Sequence, residues 1–151
     1  MFEDLIARFN SINPFNNNIY YAASIWGALG NPDFNKEIIE HLKRHGSVLT
    51  EQLFLPDYAS KSHLDLRQIH DRDIRWIRKS KRVVAEVTAV SLGVGYELRE
   101  AVRTGKKVLG LYFPQEGKRL SAMIAGSPGI RICPYMSIEE AKLGIDSFFR
   151  K

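Results

Sequence analysis

Short apolar segments alternate with amphipathic ones along most of this 151-residue chain. The apolar segments have the length and β-branched content of strands, and the segments between them have apolar positions at helical spacing. Strands joined by helical crossovers form a parallel sheet with right-handed connections. The pattern therefore predicts a single-domain α/β fold with a doubly wound five-stranded parallel sheet flanked by helices. We expect strands at 19–23, 47–50, 82–88, 107–113 and 130–134, and helices at 34–46, 62–81, 97–106, 119–126 and 137–151.

Local signals refine this pattern. The strand RVVAEVT has few polar residues, which is typical of a strand covered on both faces. Asp33 and Ser137 are expected to cap the N-termini of two helices, Ser62 to start the longest helix, and Gly46 to follow the end of the first one.

The first 17 residues differ from the rest of the chain. Phe2, Leu5, Ile6 and Phe9 stand at helical spacing before the polar segment SINPFNNN. We expect a helical appendage at 1–17 and one domain at 18–151.

Composition and charge exclude some classes of protein. No apolar run approaches the roughly 20 residues of a membrane span, and the N-terminus is acidic where a signal peptide is basic. A lone Cys133 fits a reducing compartment. We expect a cytoplasmic protein, or a nuclear one as well in a eukaryote. The net charge of +5 favours an anionic partner. However, Asp71 and Asp73 interrupt the basic run at 67–82, and no nucleic-acid motif accompanies it, so nucleic-acid binding is not favoured.

A parallel doubly wound sheet binds ligands beyond the carboxyl ends of its strands. Here those ends lead into loops at 22–31, 50–61, 88–97 and 113–120. One of them contains SLGVGYE, in which Ser91, Gly93 and the first amides of the next helix could bind an anion such as phosphate. The segment is neither a Walker A loop nor a GxGxxG fingerprint, and by itself it could equally be a turn.

Other candidates are equally open when taken alone. Asp73, between two arginines, could be a surface ion-pairing residue. Ser121 could be a helix cap. Tyr20 and Tyr21 would point to opposite faces of the sheet. The four histidines show no metal spacing with Cys133, and neither a metal nor a cofactor is expected.

Several segments together resemble a known family. YYAASIWG, SVLTE, IHDRDIRWI, VVAEVTAVSLGVGYELREAV and GKRLSAMI occur in the same order and at similar spacings in the 2'-deoxynucleoside 5'-phosphate N-hydrolases, relatives of the nucleoside 2-deoxyribosyltransferases. The resemblance covers about residues 18–150. It implies a Rossmann-like, deoxyribosyltransferase-like fold and a homodimeric enzyme that releases the base from a (deoxy)nucleoside 5'-monophosphate.

The resemblance also implies roles for individual residues. By position, Glu97 matches the nucleophile, Asp73 the acid/base and Tyr20 the active-site tyrosine. Ser121 matches a serine that the family donates to the phosphate site of the neighbouring subunit. The phosphate-binding positions and the first-loop substrate contacts match Ser91 and Gly93, and Ala23, Ser24, Ile25, Trp26 and Gly27.

The chain departs from the family pattern on the base side. SIRGG becomes SIWGA, and LTEH becomes LTEQ. We therefore expect Trp26 to wall or stack on the nucleobase and Gln52 to read its edge. A deoxyribosyltransferase and a non-catalytic nucleotide-binding or nucleic-acid-binding module remain the alternatives.

Overall fold

The computed structural model describes residues 17–24 and 32–150. The predicted N-terminal helix falls outside the described residues and stays a prediction. The strands are parallel and lie in the order β2-β1-β3-β4-β5, as predicted for a doubly wound sheet. They span β1 Asn18–Ala22, β2 Ser47–Val48, β3 Arg82–Glu86, β4 Lys107–Tyr112 and β5 Ile130–Pro134. The helices are α1 Pro32–Leu42, α2 Tyr58–Lys61, α3 Leu66–Lys79, α4 Leu92–Arg103, α5 Ala122–Ala125 and α6 Ile138–Phe149, with a 3-10 helix at Glu51–Phe54.

The sheet carries a buried apolar layer on each face, as the apolar strands predicted. Helices α1 and α6 cover one layer, in which Tyr21, Ile38 and Ile145 are buried. Helices α3 and α4 cover the other, with Tyr20 and Leu98 buried. Consecutive strand residues point to opposite faces, so the two tyrosines separate as predicted.

The strand order reverses direction at β1. The chain goes from β1 outward to β2 and then returns to the other side of β1 with β3, which pairs Tyr20 with Val83. At such a switch point the two crossover connections leave on opposite faces and open a crevice beyond the carboxyl ends of the strands. This fold therefore favours a ligand site beyond β1 and β3.

Several predicted boundaries are wrong. Helix α4 starts at Leu92, inside the predicted loop at 88–97, because Ser91 caps it. Strand β2 has two residues instead of four, since the chain turns at Leu49 into the 3-10 helix. Strand β3 ends at Glu86 instead of Thr88. Helix α3 starts at Leu66 instead of Ser62, because Asp65 and Gln68 form a reciprocal capping box.

The first helix starts one residue before its predicted cap, at Pro32. Proline is favoured at a first helical position, because its fixed φ suits the helix and its missing N–H is not needed there.

Gly46 follows the turn after α1 and lies very close to the backbone of Asn17. A Cβ on Gly46 would stand 1.9 Å from the Asn17 carbonyl oxygen, so no other residue fits without moving the backbone. The predicted cap of α6 is confirmed, since the Ser137 hydroxyl accepts from the Glu140 amide at 3.2 Å.

Candidate active site

Tyr20 directs its hydroxyl from β1 toward helix α4. Its side chain is buried, and the hydroxyl donates to Glu97 Oε1 at 2.8 Å, across 77 residues of sequence. Burial, together with the negative charges of Glu97 and Asp73, raises the pKa of Tyr20 far above its ordinary value. The phenol therefore stays protonated and acts as a permanent donor to the carboxylate.

Glu97 lies in the second turn of α4, on the side of the helix that faces β1. Burial raises the pKa of its carboxyl group to about 7; the Tyr20 hydrogen bond lowers that pKa, the charge of Asp73 raises it, and Arg72 lowers it. A glutamate that titrates near neutrality in a crevice is a typical candidate for catalysis.

Asp73 stands on α3 beside Arg72. The Arg72 Nε donates to Asp73 Oδ1 at 2.8 Å, and Nη2 lies 2.8 Å from the same oxygen. The two side chains are only 10% and 16% exposed, so this is not the solvated surface pair considered above. The Arg72 guanidinium is held in turn by the hydroxyl of Tyr58 and stacks over the Trp76 ring at 4.9 Å.

These four groups form one electrostatic unit, which we call the acidic cluster: Tyr20, Arg72, Asp73 and Glu97. Asp73 and Arg72 both act on the pKa values of Tyr20 and Glu97. Arg72 is hydrogen-bonded to Asp73, and its charge also acts on Glu97. When both carboxyl groups are ionised, the unit carries a net negative charge. Such an arrangement can stabilise a developing cation and can move a proton.

The residues predicted to bind an anion lie at the start of α4. Ser91 is the N-cap, and its hydroxyl oxygen accepts from the Val94 amide at 3.3 Å. It can still donate its own proton outward. A Cβ on Gly93 would meet only the Ser91 Oγ, at 3.9 Å, so packing does not demand glycine there. Leu92 and Val90 beside them are 94% and 99% exposed, so this helix start is open.

A groove of about 690 Å³ runs along the other side of α4 and contains both predicted phosphate serines, Ser91 and Ser121. Arg99 and Arg119 also line it. Two residues along a helix turn the side-chain direction by about 200°, so Glu97 and Arg99 project to opposite sides of α4. The described chain thus brings Ser91 and Ser121 into one groove but does not bring Ser121 to the acidic cluster.

Ser121 also performs the structural role considered above, since its hydroxyl accepts from the Met123 amide at 3.3 Å as the cap of α5. Ala23 and Ser24 follow β1 and are half-buried. Ile25, Trp26 and Gly27 lie outside the described residues, so their predicted contacts stay predictions. Gln52 is exposed on the 3-10 helix.

Residue-by-residue reasoning missed Glu86. It ends β3 fully buried, and its Oε1 accepts from the Thr88 amide at 3.0 Å, from the Thr88 hydroxyl and from Tyr135 at 3.5 Å. Thr88 in turn accepts from the Phe113 amide at 2.8 Å. This network fixes the loop that leads to Ser91. A carboxylate within an otherwise apolar strand was the available signal. Arg99 and Arg119 were missed as well, since isolated surface arginines give no motif.

Comparison with known proteins identifies relatives of this chain. No family model matches the sequence. A protein of Trichoplax adhaerens, provisionally named 2'-deoxynucleoside 5'-phosphate N-hydrolase 1, is 46% identical over 109 residues, or 72% of this chain and 75% of the relative. The 5-hydroxymethyl-dUMP N-hydrolase of Danio rerio is 44% identical over 113 residues, covering 73% and 78%.

A solved structure, that of a CMP N-glycosidase from Clostridium botulinum, superimposes with a TM-score of 0.64. It covers 87% of this chain and 99% of its own, at 15% identity, and so shows that the fold is shared. The fold and the relatives together define a hydrolase that acts on N-glycosyl compounds. The chain belongs to the 2'-deoxynucleoside 5'-phosphate N-hydrolase family.

Among the described residues, each helix is too short or too polar to cross a lipid bilayer.

Proposed function

We propose that this protein cleaves the N-glycosidic bond of (deoxy)nucleoside 5'-monophosphates, releasing the free base and the sugar 5-phosphate. The observation that carries the proposal is the 2.8 Å hydrogen bond from buried Tyr20 to Glu97, beside Asp73. Relatives named for the hydrolysis of 5-hydroxymethyl-dUMP support a nucleotide as the substrate.

Glu97 would act as the nucleophile. Cleavage develops positive charge on C1' and the ring oxygen of the sugar, so a carboxylate on the face opposite the base can attack C1' and form a glycosyl-enzyme. Only the ionised form attacks. Tyr20 supports this form, because its hydrogen bond lowers the pKa that burial raises.

Asp73 would be the acid/base. It would protonate the departing base and then take a proton from the water that hydrolyses the intermediate. The bond from Arg72 at 2.8 Å holds the carboxyl group in position. Since Asp73 also raises the pKa of Glu97, the charge states of the two acids are coupled.

The 5'-phosphate would bind at the start of α4, on the Ser91 hydroxyl and the amides near Gly93. An anion at a helix N-terminus is favourable, and fixing the phosphate holds the sugar in position for attack. Arg99 and Arg119 line the groove on the other side of α4, which Ser91 also borders, and add positive charge there.

A panel of ribo- and deoxyribonucleoside monophosphates tests the reaction, with the liberated base detected by chromatography. We expect release from at least one nucleotide, and much slower release from the matching nucleoside, which lacks the phosphate. Adding a different free base separates the alternatives, because a transferase would form the exchanged nucleotide and a hydrolase would not. If the wild-type protein bound nucleotides but released no base, the protein would be a non-catalytic nucleotide-binding module.

The active form would be a homodimer in which Ser121 of one subunit reaches the phosphate of the other. Exposed apolar side chains, Val90, Leu92 and Met123, border the groove and suit a subunit contact. The alternative is that Ser121 binds the phosphate in its own subunit, where it lines the same groove as Ser91. Mixing Ser121→Ala with Glu97→Gln decides between them: shared sites restore part of the activity in the mixed dimer, and self-contained sites restore none.

The base would be selected by Trp26 and Gln52. We expect Trp26→Ala to reduce the discrimination among bases while leaving the requirement for a 5'-phosphate intact. Unchanged ratios of kcat/KM across the panel would contradict this part of the proposal.

A further inference from the structure

Three potential metal ligands converge far from the acidic cluster. His41 on α1, His45 in the turn after it and Asp146 on α6 place one ligand atom each within 4.8 Å of one another. Both histidines direct Nε2 to the same oxygen, Asp146 Oδ1, each at 2.7 Å. Two imidazoles, from α1 and the turn after it, and a carboxylate from α6 thus converge on one point.

The position of this group separates it from the proposed catalysis. The helices run antiparallel to the strands, so the C-terminal ends of α1 and α6 lie at the amino edge of the sheet. The contacts of Phe149 agree: its ring stacks on His45 at 4.5 Å and lies 5.0 Å below the guanidinium of Arg82, the first residue of β3. The acidic cluster lies at the opposite, carboxyl edge.

We propose that His41, His45 and Asp146 bind a Zn²⁺-type divalent transition metal that joins helix α1 to helix α6. Imidazole and carboxylate are suitable ligands for such a metal. His41 and His45 have the i, i+4 spacing of the two histidines in the metal-binding H-E-x-x-H motif, although only His41 lies within the helix here. Here the segment is HLKRH, which lacks the glutamate that serves as a base in that motif. The site would therefore be structural rather than catalytic.

The geometry requires only a small adjustment. Tetrahedral zinc with bonds of about 2.0–2.2 Å separates its ligands by about 3.3–3.5 Å, so the carboxylate would withdraw by roughly 0.7 Å. Asp146 has room to move, since its side chain is 32% exposed, whereas the His41 side chain is 8% exposed and held by the core. Water would reach the remaining position from the exposed side. The two imidazoles would then bind through the Nε2 lone pairs, with their protons on Nδ1.

The sequence alone does not indicate this site, because the histidines show no metal spacing with Cys133. The i, i+4 pair gains significance only when the fold brings Asp146 to it, 101 residues after His45.

Titration of the purified protein with ZnCl₂ tests the proposal, by calorimetry and by the shift in thermal unfolding. We expect one equivalent to bind and the unfolding midpoint to rise with the logarithm of zinc concentration. Asp146→Asn and His45→Gln should each weaken binding at least tenfold. His70→Gln and Cys133→Ser are matched controls that should bind as the wild type does.

A readout on the wild type removes any dependence on how the variants fold. Zinc should shift the imidazole NMR signals of His41 and His45 and leave those of His63 and His70 in place. No binding at several hundred micromolar zinc, or equal binding by His45→Gln, would overturn the proposal and leave the group as two hydrogen bonds to one carboxylate.

Discussion

Two glutamates lie at the carboxyl edge of the sheet: Glu86, which is fully buried, and Glu97, which is half-buried. They differ most in their hydrogen-bond partners. Burial raises the pKa of both side chains. Glu86 accepts hydrogen bonds from the Thr88 amide, the Thr88 hydroxyl and Tyr135. Glu97, within the described residues, accepts one, from Tyr20.

The difference separates a structural acid from a candidate catalytic one. A buried carboxylate with few hydrogen bonds costs free energy. Such a group calls for an explanation, and a substrate that binds to its unused lone pairs is one. The hydrogen bonds of Glu86 hold the loop at Thr88 in place. Glu97 still has lone pairs that could accept hydrogen bonds or attack a substrate.

The largest expected effect is on turnover. Glu97→Gln should reduce base release by about a thousandfold or more, because a neutral amide cannot act as the nucleophile. Glu86→Gln, the matched control, keeps an acceptor oxygen and should stay within about tenfold of the wild type. The measurement is kcat/KM on the best substrate of the panel. Equal losses in the two variants would show that Glu97 is no more catalytic than Glu86.

Stability should respond in the reverse order. Glu86→Ala leaves the Thr88 and Tyr135 hydroxyls without their acceptor in the core and should cost about 2–4 kcal/mol of unfolding free energy. Urea denaturation measures this loss. Glu97→Ala should cost much less, and a larger loss for Glu97 than for Glu86 would mean that Glu97 is the structural residue.

Tyr20 should affect the pH profile more than the maximum rate. Tyr20→Phe removes the hydrogen bond that lowers the pKa of Glu97, so the acidic limb of kcat/KM, expected near pH 7, should move to higher pH. At pH 7 we expect a loss of about tenfold. Tyr21→Phe is the control, since Tyr21 bonds to Asn35 on the other face of the sheet. If both variants shifted the limb alike, the role of Tyr20 would be structural.

The sequence predicted those features that depend on periodicity or on local capping. Five parallel strands, the two-sided core and the Ser137 cap all follow from residues close together in the chain. It missed one local feature, the Asp65–Gln68 capping box that displaces a helix start. It also missed what arises from distant partners, since Glu86 meets Tyr135 and His41 meets Asp146 only in the fold. The candidate catalytic residues came from the resemblance rather than from spacing alone. Tyr20 and Glu97 are 77 residues apart, and no local rule connects them.

The smallest effect is the pH dependence of stability. The pKa of Glu97 in the folded chain, about 7, is above its ordinary value of 4.5, so the folded state holds a proton that the unfolded state releases between these values. Stability should therefore fall as pH rises through this window. Glu97→Gln removes the titration and should melt higher than the wild type at pH 8, with the difference shrinking toward pH 5.

Glu100, one turn later on α4, gives the control of opposite sign. A hydrogen bond from Arg103, together with one from Arg78, lowers the pKa of Glu100 below its ordinary value. Its ionised form therefore stabilises the folded state above that value, and the contribution is lost as pH falls through the lowered pKa. Glu100→Gln should melt lower than the wild type at pH 8 and converge with it in acid. Thermal unfolding of the wild type and both variants from pH 4 to pH 8 measures the two pH dependences. If the melting temperatures of both variants changed with pH in the same direction relative to the wild type, the raised pKa of Glu97 would be refuted.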